Sequence, residues 1–176
     1  MNLVIVSGLS GSGKSIALHT LEDMGYYCID NLPVGLLDAL SQEFSGNNLG
    51  DIDKLAAGID ARNQPDQIGH FPTFLASCHE RGIHCRTLFL QADTRTLIQR
   101  FSETRRKHPL SGSDTTLADA IDMERKLLAP IAGEADLFID TSRTNIHQLR
   151  DMVRECIDSS QTSGLSLVIR SFGFKH

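Results

Sequence analysis

The stretch VSGLSGSGKSIAL, residues 6–18, constrains this chain more than any other. Gly8, Gly11 and Gly13 alternate with serines and one lysine between an apolar run and a pattern of helical spacing. Gly8-Leu9-Ser10-Gly11-Ser12-Gly13-Lys14-Ser15 satisfies GxxxxGK[ST] without a gap. Glycines reach backbone angles that other residues resist, so successive N–H groups can turn inward around a phosphate. The following helix adds free N–H groups and the positive end of its dipole. Lys14 supplies a mobile charge for β and γ phosphates, and the Ser15 hydroxyl a ligand for Mg²⁺. A Gly/Ser-rich turn could carry the same letters, but the position between a strand and a helix is the one a phosphate loop requires.

The rest of the chain alternates in period. Apolar runs at residues 3–7, 26–30, 54–60, 86–91, 135–140 and 165–172 read as strands. Between them, Ala17, Leu21 and Met24, then Leu37, Leu40 and Phe44, mark two helices, the first stopped by Gly25. Phe71, Phe74, Leu75 and Cys78 mark a third, and Leu97, Ile98 and Phe101 a fourth. A Thr-x-x-Asp cap opens a helix over residues 116–133, and Ile146, Leu149, Val153 and Cys156 pattern the last. Strands alternating with helices pair in parallel through right-handed crossovers and carry helices on both faces. The expected fold is therefore α/β, a three-layer P-loop NTPase sandwich with a mostly parallel sheet. Ligands of such sheets bind at the carboxyl ends of the strands, which selects Ser7 onward, Asp30, Asp60, Asp93 and residues 140–142.

Composition bounds the function. The chain of 176 residues has the length of one domain and is 40% hydrophobic and 22% charged. No apolar run approaches a membrane span, and the start of the chain lacks the basic region and cleavage site of a signal peptide. A cytosolic protein without membrane attachment is expected. The net charge of −5 argues against binding nucleic acid by bulk electrostatics. Cys28, Cys78, Cys85 and Cys156 show no CxxC spacing and are expected to be reduced and buried. In CHERGIHC, residues 78–85, a helix ending near Gly82 and a strand starting near Ile83 should point Cys78 and Cys85 in different directions, which disfavours a metal site.

Other motifs narrow the class of phosphate loop. No NKxD base-recognition motif occurs, and DQIG at residues 66–69 lies too far past the third strand to be a switch aspartate. Asp60, closing that strand, is the better candidate to hold Mg²⁺ through water; a turn-capping role is the alternative. Arg62 and Asn63 follow and should face the same crevice. Residues 93–110, DTRTLIQRFSETRRKHPL, carry Arg95, Arg100, Arg105, Arg106 and Lys107 against Asp93 and Glu103. A solvated helix end would account for the cluster, as would a lid whose arginines close over phosphates, the arrangement of small P-loop kinases.

Together SGLSGSGKS, LEDMGYYCIDNLP, IDARN, RRKHPL, ADLFIDTS and SFGFKH, in this order and spacing, resemble the bacterial RNase adapter family, RapZ and YvcJ, over residues 1–176. The resemblance implies an ATP- and GTP-binding domain, with Gly8 to Ser15 as the ATP-type loop and Asp60, Ala61, Arg62 and Asn63 as the position described for GTP. It further implies slow Mg²⁺-dependent hydrolysis, and guidance of a small regulatory RNA to an endoribonuclease in control of amino-sugar synthesis. Family members continue into an RNA-associated C-terminal domain after SFGFKH, so residues 1–176 are expected to be the N-terminal domain of a longer protein. Direct RNA binding by this chain is then not expected, whereas the full-length protein should contact protein partners and form a homo-oligomer.

Three readings compete: a nucleotide-binding regulatory domain with weak NTPase activity, a small-molecule or nucleotide kinase using Asp30 as base, and a P-loop fold with incidental affinity. The first is favoured by the extent of the resemblance. Its expected machinery is Lys14, Asp60, Arg105 and Arg106 for chemistry, Ser15 and Asp60 for Mg²⁺, and the glycine loop with residues 60–63 for nucleotide. Thr141 and Ser142 are candidates for the base pocket.

Overall fold

The computed structural model describes residues 2–45, 52–159 and 167–170. Six strands, β1 Asn2–Gly8, β2 Tyr27–Ile29, β3 Lys54–Gly58, β4 His84–Gln91, β5 Leu137–Asp140 and β6 Leu167–Arg170, form one sheet in the order β2-β3-β1-β4-β5-β6. Every pairing is parallel. The helices are α1 Lys14–Asp23, α2 Leu37–Ser45, α3 Pro65–Gly69, α4 Phe71–Glu80, α5 Thr94–Thr104, α6 Leu117–Leu127, α7 Ala129–Gly133 and α8 Ile146–Ser159, with a 3-10 turn at Val34–Leu36.

Strand β1 explains the layering. It lies between β3 and β4 with helices packed on both of its faces, and Leu3, Val4, Ile5 and Val6 are all buried. Successive side chains alternate faces. Leu3 and Ile5 join Leu55, Ala57 and Phe89 beneath Phe71, Phe74, Cys78 and Ile131 of α4 and α7. Val4 and Val6 join Leu88, Leu90, Leu137 and Ile139 against Ala17 and Leu21 of α1 and Leu149 and Val153 of α8. Each of these fully buried aliphatic side chains contributes about 1.5–3 kcal/mol relative to exposure. A smaller cluster of Leu9, Ala92, Leu97 and Ile121 sits past the ends of β1 and β4 and fixes α5 and α6 over that edge. Among the described residues no helix is long and apolar enough to cross a membrane.

The expected doubly covered parallel sheet is present, with local departures. The helix expected over residues 116–133 is two helices, divided at Leu128. Pro130 near the start of α7 lacks an N–H and its ring opposes the carbonyl four residues earlier, so the first helix cannot run on. Its opening is as read: Thr116 accepts from the Asp119 N–H at 3.1 Å. Residues 66–69 are helical in α3, led by Pro65. The second strand is a three-residue edge, and the third ends at Gly58 rather than Asp60. Residues 165, 166, 171 and 172 of the expected last strand lie outside the described residues.

Cys78 and Cys85 do not point apart as expected. The tight turn after α4, closed by the Ile83 N–H on the Cys78 carbonyl at 2.9 Å, folds β4 back along the helix. Both side chains belong to the same core cluster, and the Cys78 thiol, with burial behind it, pushes the Cys85 thiol up. All four cysteines are free, Cys78 and Cys156 buried and the other two half-buried.

Candidate phosphate-binding site

The adjacent strands β1 and β4 send the chain in opposite directions, from β1 toward β2 and from β4 toward β5, which opens a crevice at their carboxyl ends. The segment Leu9 to Gly13 lies in it. The Leu9 N–H donates to the Leu90 carbonyl at 3.1 Å and the Ser12 N–H to the Leu9 carbonyl at 2.9 Å, which curls the loop. Gly13, at φ 109°, is in the left-handed region and turns the chain into α1. It provides no capping side chain, so no side chain closes off the first N–H groups of α1. The buried Ser12 hydroxyl has no hydrogen-bond partner among the described residues. An anion acceptor fits these donors.

Lys14 lies at the mouth of the loop with its Nζ 2.9 Å from Asp30 Oδ1 and 3.7 Å from Asp60 Oδ2. Asp60 is buried; it accepts from the Arg62 backbone N–H at 2.9 Å and lies 3.6 Å from Arg62 Nε. Asn31, oriented to satisfy its partners, donates to both Asp60 oxygens at 3.0 Å and accepts from Arg62 Nη1 at 3.2 Å. Asp30 packs over Gly58, where a Cβ would stand 2.6 Å from its Oδ1, so the small residues of β3 serve this approach. Burial alone would raise the Asp30 carboxyl, but the hydrogen bond and charge of Lys14, with the Asn31 N–H and Arg62, hold it below its ordinary value of 3.8.

Oxygen donors here suit Mg²⁺. Ser15 is exposed and shares a cavity of about 150 Å³ with Asp30 and Cys28, and Asp60 lies across Lys14. No three His, Cys, Asp or Glu side chains among the described residues gather to hold a metal by themselves. A Mg²⁺ ion held by Ser15 and a carboxylate would take its remaining ligands from water and phosphate, which is usual for that ion.

On the other flank of the loop lies a cavity of about 620 Å³, walled by Gly11 to Gly13, Ile16, Phe101 and Leu149. Arg100 and Arg106 border it. Arg100 braces the loop: its Nη1 donates to the Gly11 carbonyl at 3.0 Å and to Thr141 Oγ1 at 2.9 Å, and its Nη2 to the Thr141 carbonyl at 2.6 Å.

The structure brings Gly8 to Ser15, Lys14, Asp30, Asp60, Arg62 and Arg106 around one crevice. It places others elsewhere. Asn63 is buried and does not share the crevice with Arg62; its amide accepts from the Val34 N–H at 2.7 Å and donates to the Asp60 carbonyl at 3.1 Å, pinning the turn after Pro33. Ala61 is buried beside it. Arg105 is exposed, caps α5 with φ 51° and does not border the large cavity. Thr141 is fully buried, its hydroxyl 2.9 Å from the Ser12 carbonyl, and the Ser142 hydroxyl donates to Asp140. The cavity wall is formed instead by Thr144, Asn145, Ile146 and His147.

Sequence reasoning also missed Glu124, which is fully buried and bonded to Ser10 of the loop at 2.6 Å and to His108 at 2.9 Å. The signal was there: a carboxylate at the spacing of Ala120, Ile121 and Leu128, on the apolar face of its helix.

The family model of the RapZ-like N-terminal domain matches residues 1–161. A nucleotide-binding protein of Methylococcus capsulatus is 54% identical over 176 residues, which is 100% of this chain and 60% of that protein. One of Alkalilimnicola ehrlichii is also 54% identical, with 61% of its length covered. The chain thus spans about three fifths of the length of the curated relatives it matches. Among solved structures, shikimate kinase from Acinetobacter baumannii in complex with shikimate aligns with a TM-score of 0.56 over 92% of this chain and 95% of its own. At 16% identity that likeness is one of fold, that of P-loop kinases.

Proposed function

The chain belongs to the RapZ-like N-terminal domain family, and from that premise we propose that it binds ATP or GTP with Mg²⁺ as the regulatory domain of an RNase adapter-type protein. Its output is a partner contact that depends on nucleotide occupancy, directed in the whole protein at small-RNA decay and amino-sugar metabolism. Hydrolysis is slow. One observation carries the nucleotide reading: an uncapped glycine loop with Lys14 at its mouth, opening on a cavity of nucleoside size lined by Ile16, Phe101 and Leu149.

In this reading phosphates take the N–H groups of Gly11, Gly13, Lys14 and Ser15, and Lys14 exchanges Asp30 and Asp60 for phosphate oxygens. Ser15 and Asp60 would hold the Mg²⁺, which would supply charge neutralisation at the phosphates. Arg106 approaches from the cavity side and Arg62 from the other. Apolar walls receive the base. Names of relatives as nucleotide-binding proteins support the same class of ligand.

A small-molecule kinase with Asp30 as general base is the second reading, favoured by the kinase-like fold and the half-exposed Asp30 beside Ser15. A carboxyl held below its ordinary value and paired to Lys14 is a weak proton acceptor, which ranks this reading second.

Phosphate release from Mg-ATP and Mg-GTP, with and without a pool of small metabolites, beside Lys14→Ala, tests the proposal. The expected result is slow release, lost at least tenfold in the variant and unmoved by metabolites. Unchanged nucleotide affinity in Lys14→Ala would remove the loop from the site. Label transferred to one metabolite would make the chain a kinase.

A further inference from the structure

The segment after α5 carries Arg105, Arg106 and Lys107 exposed and then dives inward at His108, whose side chain is buried. His108 Nδ1 accepts from the Leu110 N–H at 3.1 Å, which leaves Nε2 as the protonated nitrogen, aimed at Glu124 Oε2 at 2.9 Å. The same carboxylate accepts twice from the phosphate loop, from the Ser10 N–H at 3.0 Å and from the Ser10 hydroxyl at 2.6 Å. Both side chains of the His108–Glu124 pair are closed to solvent. The His108 ring also packs on Phe101, at 5.2 Å between centroids, and Phe101 borders Gly11.

A buried carboxylate is costly unless its acceptor sites are filled, and here protein donors fill them from both sides. One donor group belongs to the loop and the other to the arginine segment. Neither can shift without leaving a buried group unpaired, so the two segments move as one. Residues 105–107 are suspended between the left-handed turn at Arg105 and this anchor.

We propose that Glu124 is a positioning residue: through Ser10 and His108 it locks the arginine-bearing segment 105–107 to the phosphate loop, so that occupancy of the loop is reported in the conformation of that segment. The proposal rests on the reading of the loop as a phosphate site. Arg106 owes its place at the cavity to this link, and any partner that reads the segment reads the loop.

Tryptic cleavage after Arg105, Arg106 and Lys107, located by mass, measures opening of the segment with and without saturating Mg-ATP. In the wild-type chain nucleotide should slow cleavage there about tenfold, and Glu124→Ala should cut at least about fivefold faster without nucleotide while keeping less than about twofold protection. Glu124→Gln keeps an oxygen for the Ser10 N–H and His108, and its amide N–H can donate to the Ser10 hydroxyl oxygen, so it should restore wild-type values within about twofold. A folded Glu124→Ala with wild-type cleavage and protection would overturn the proposal, as would acceleration spread evenly over all tryptic sites. If Glu124→Ala does not fold, Ser10→Ala decides: protection at least halved supports the link, and unchanged protection overturns it. A wild-type chain that binds no Mg-ATP would sink the phosphate reading instead, while the nucleotide-free cleavage rates still decide the link.

Discussion

Gly8 shows how much one residue can carry at this site. Its φ is 152°, and a Cβ added there would collide with the backbone carbonyl of Leu90, which cannot swing aside as a side chain could. That closeness keeps β1 paired with β4 through its last residue, Gly8 opposite Leu90, while the loop departs. Gly8→Ala should therefore destabilise the fold by about 3 kcal/mol, measured as the shift in denaturant unfolding; a variant within about 0.5 kcal/mol of the parent would show that the strands can part without cost. The pattern GxxxxGKS announced Gly8, Lys14 and Ser15 because a phosphate loop needs those residue types at that spacing, whereas the Leu90 carbonyl that Gly8 accommodates came into view only with the paired strands. Asn63 was not legible in the same way. Its neighbours Asp60 and Arg62 face the crevice, but its own amide finds the Val34 N–H, 29 residues back, and only the folded chain puts that donor within reach.

At the scale of elements, caps and breakers explain where helices begin and stop. Asp93 opens α5, its Oδ1 accepting from the Thr96 N–H at 2.7 Å. That bond first, and then the Thr96 side chain, holds the Asp93 carboxyl below its ordinary value of 3.8. A depressed carboxyl contributes stability that is fully present above the unfolded value and is lost as pH falls through the folded one. Asp93→Asn keeps an acceptor for the cap but cannot titrate. Its melting temperature should fall less steeply than that of the parent as pH falls below about 4; parallel pH profiles would assign the acid loss to other carboxyls. The division between α6 and α7 was encoded in Pro130 yet masked by the apolar spacing that continues across it, whereas the buried partners of Glu124 lie on two other segments and left no mark on its own helix beyond a misplaced charge.

For the molecule as a whole, the proposed nucleotide joins the loop after β1 to the segment after α5 and the walls of α1 and α8, so its binding should stabilise the entire fold. At about a hundredfold excess over Kd, Mg-ATP contributes about 2.7 kcal/mol, which for a chain of 176 residues raises Tm by roughly 5–10 °C. Lys14→Ala should lose at least about half of that shift at the same concentration. A parent chain with no shift would contradict nucleotide binding, and an equal shift in the variant would place Lys14 outside it. The sequence by itself determined the alternation of strands and helices, the phosphate loop between the first pair and the aspartates at strand ends, because each follows from local periodicity, turn chemistry or the chain's preference for right-handed crossovers. Only the tertiary structure decided which charged residues meet: Lys14 with Asp30 and Asp60, Arg100 with Gly11 and Thr141, and Ser10 with Glu124 and His108. The bonded pairs among them are 16 to 114 positions apart along the chain, and side chains that distant find each other through the packing of the sheet, about which no local pattern carries information.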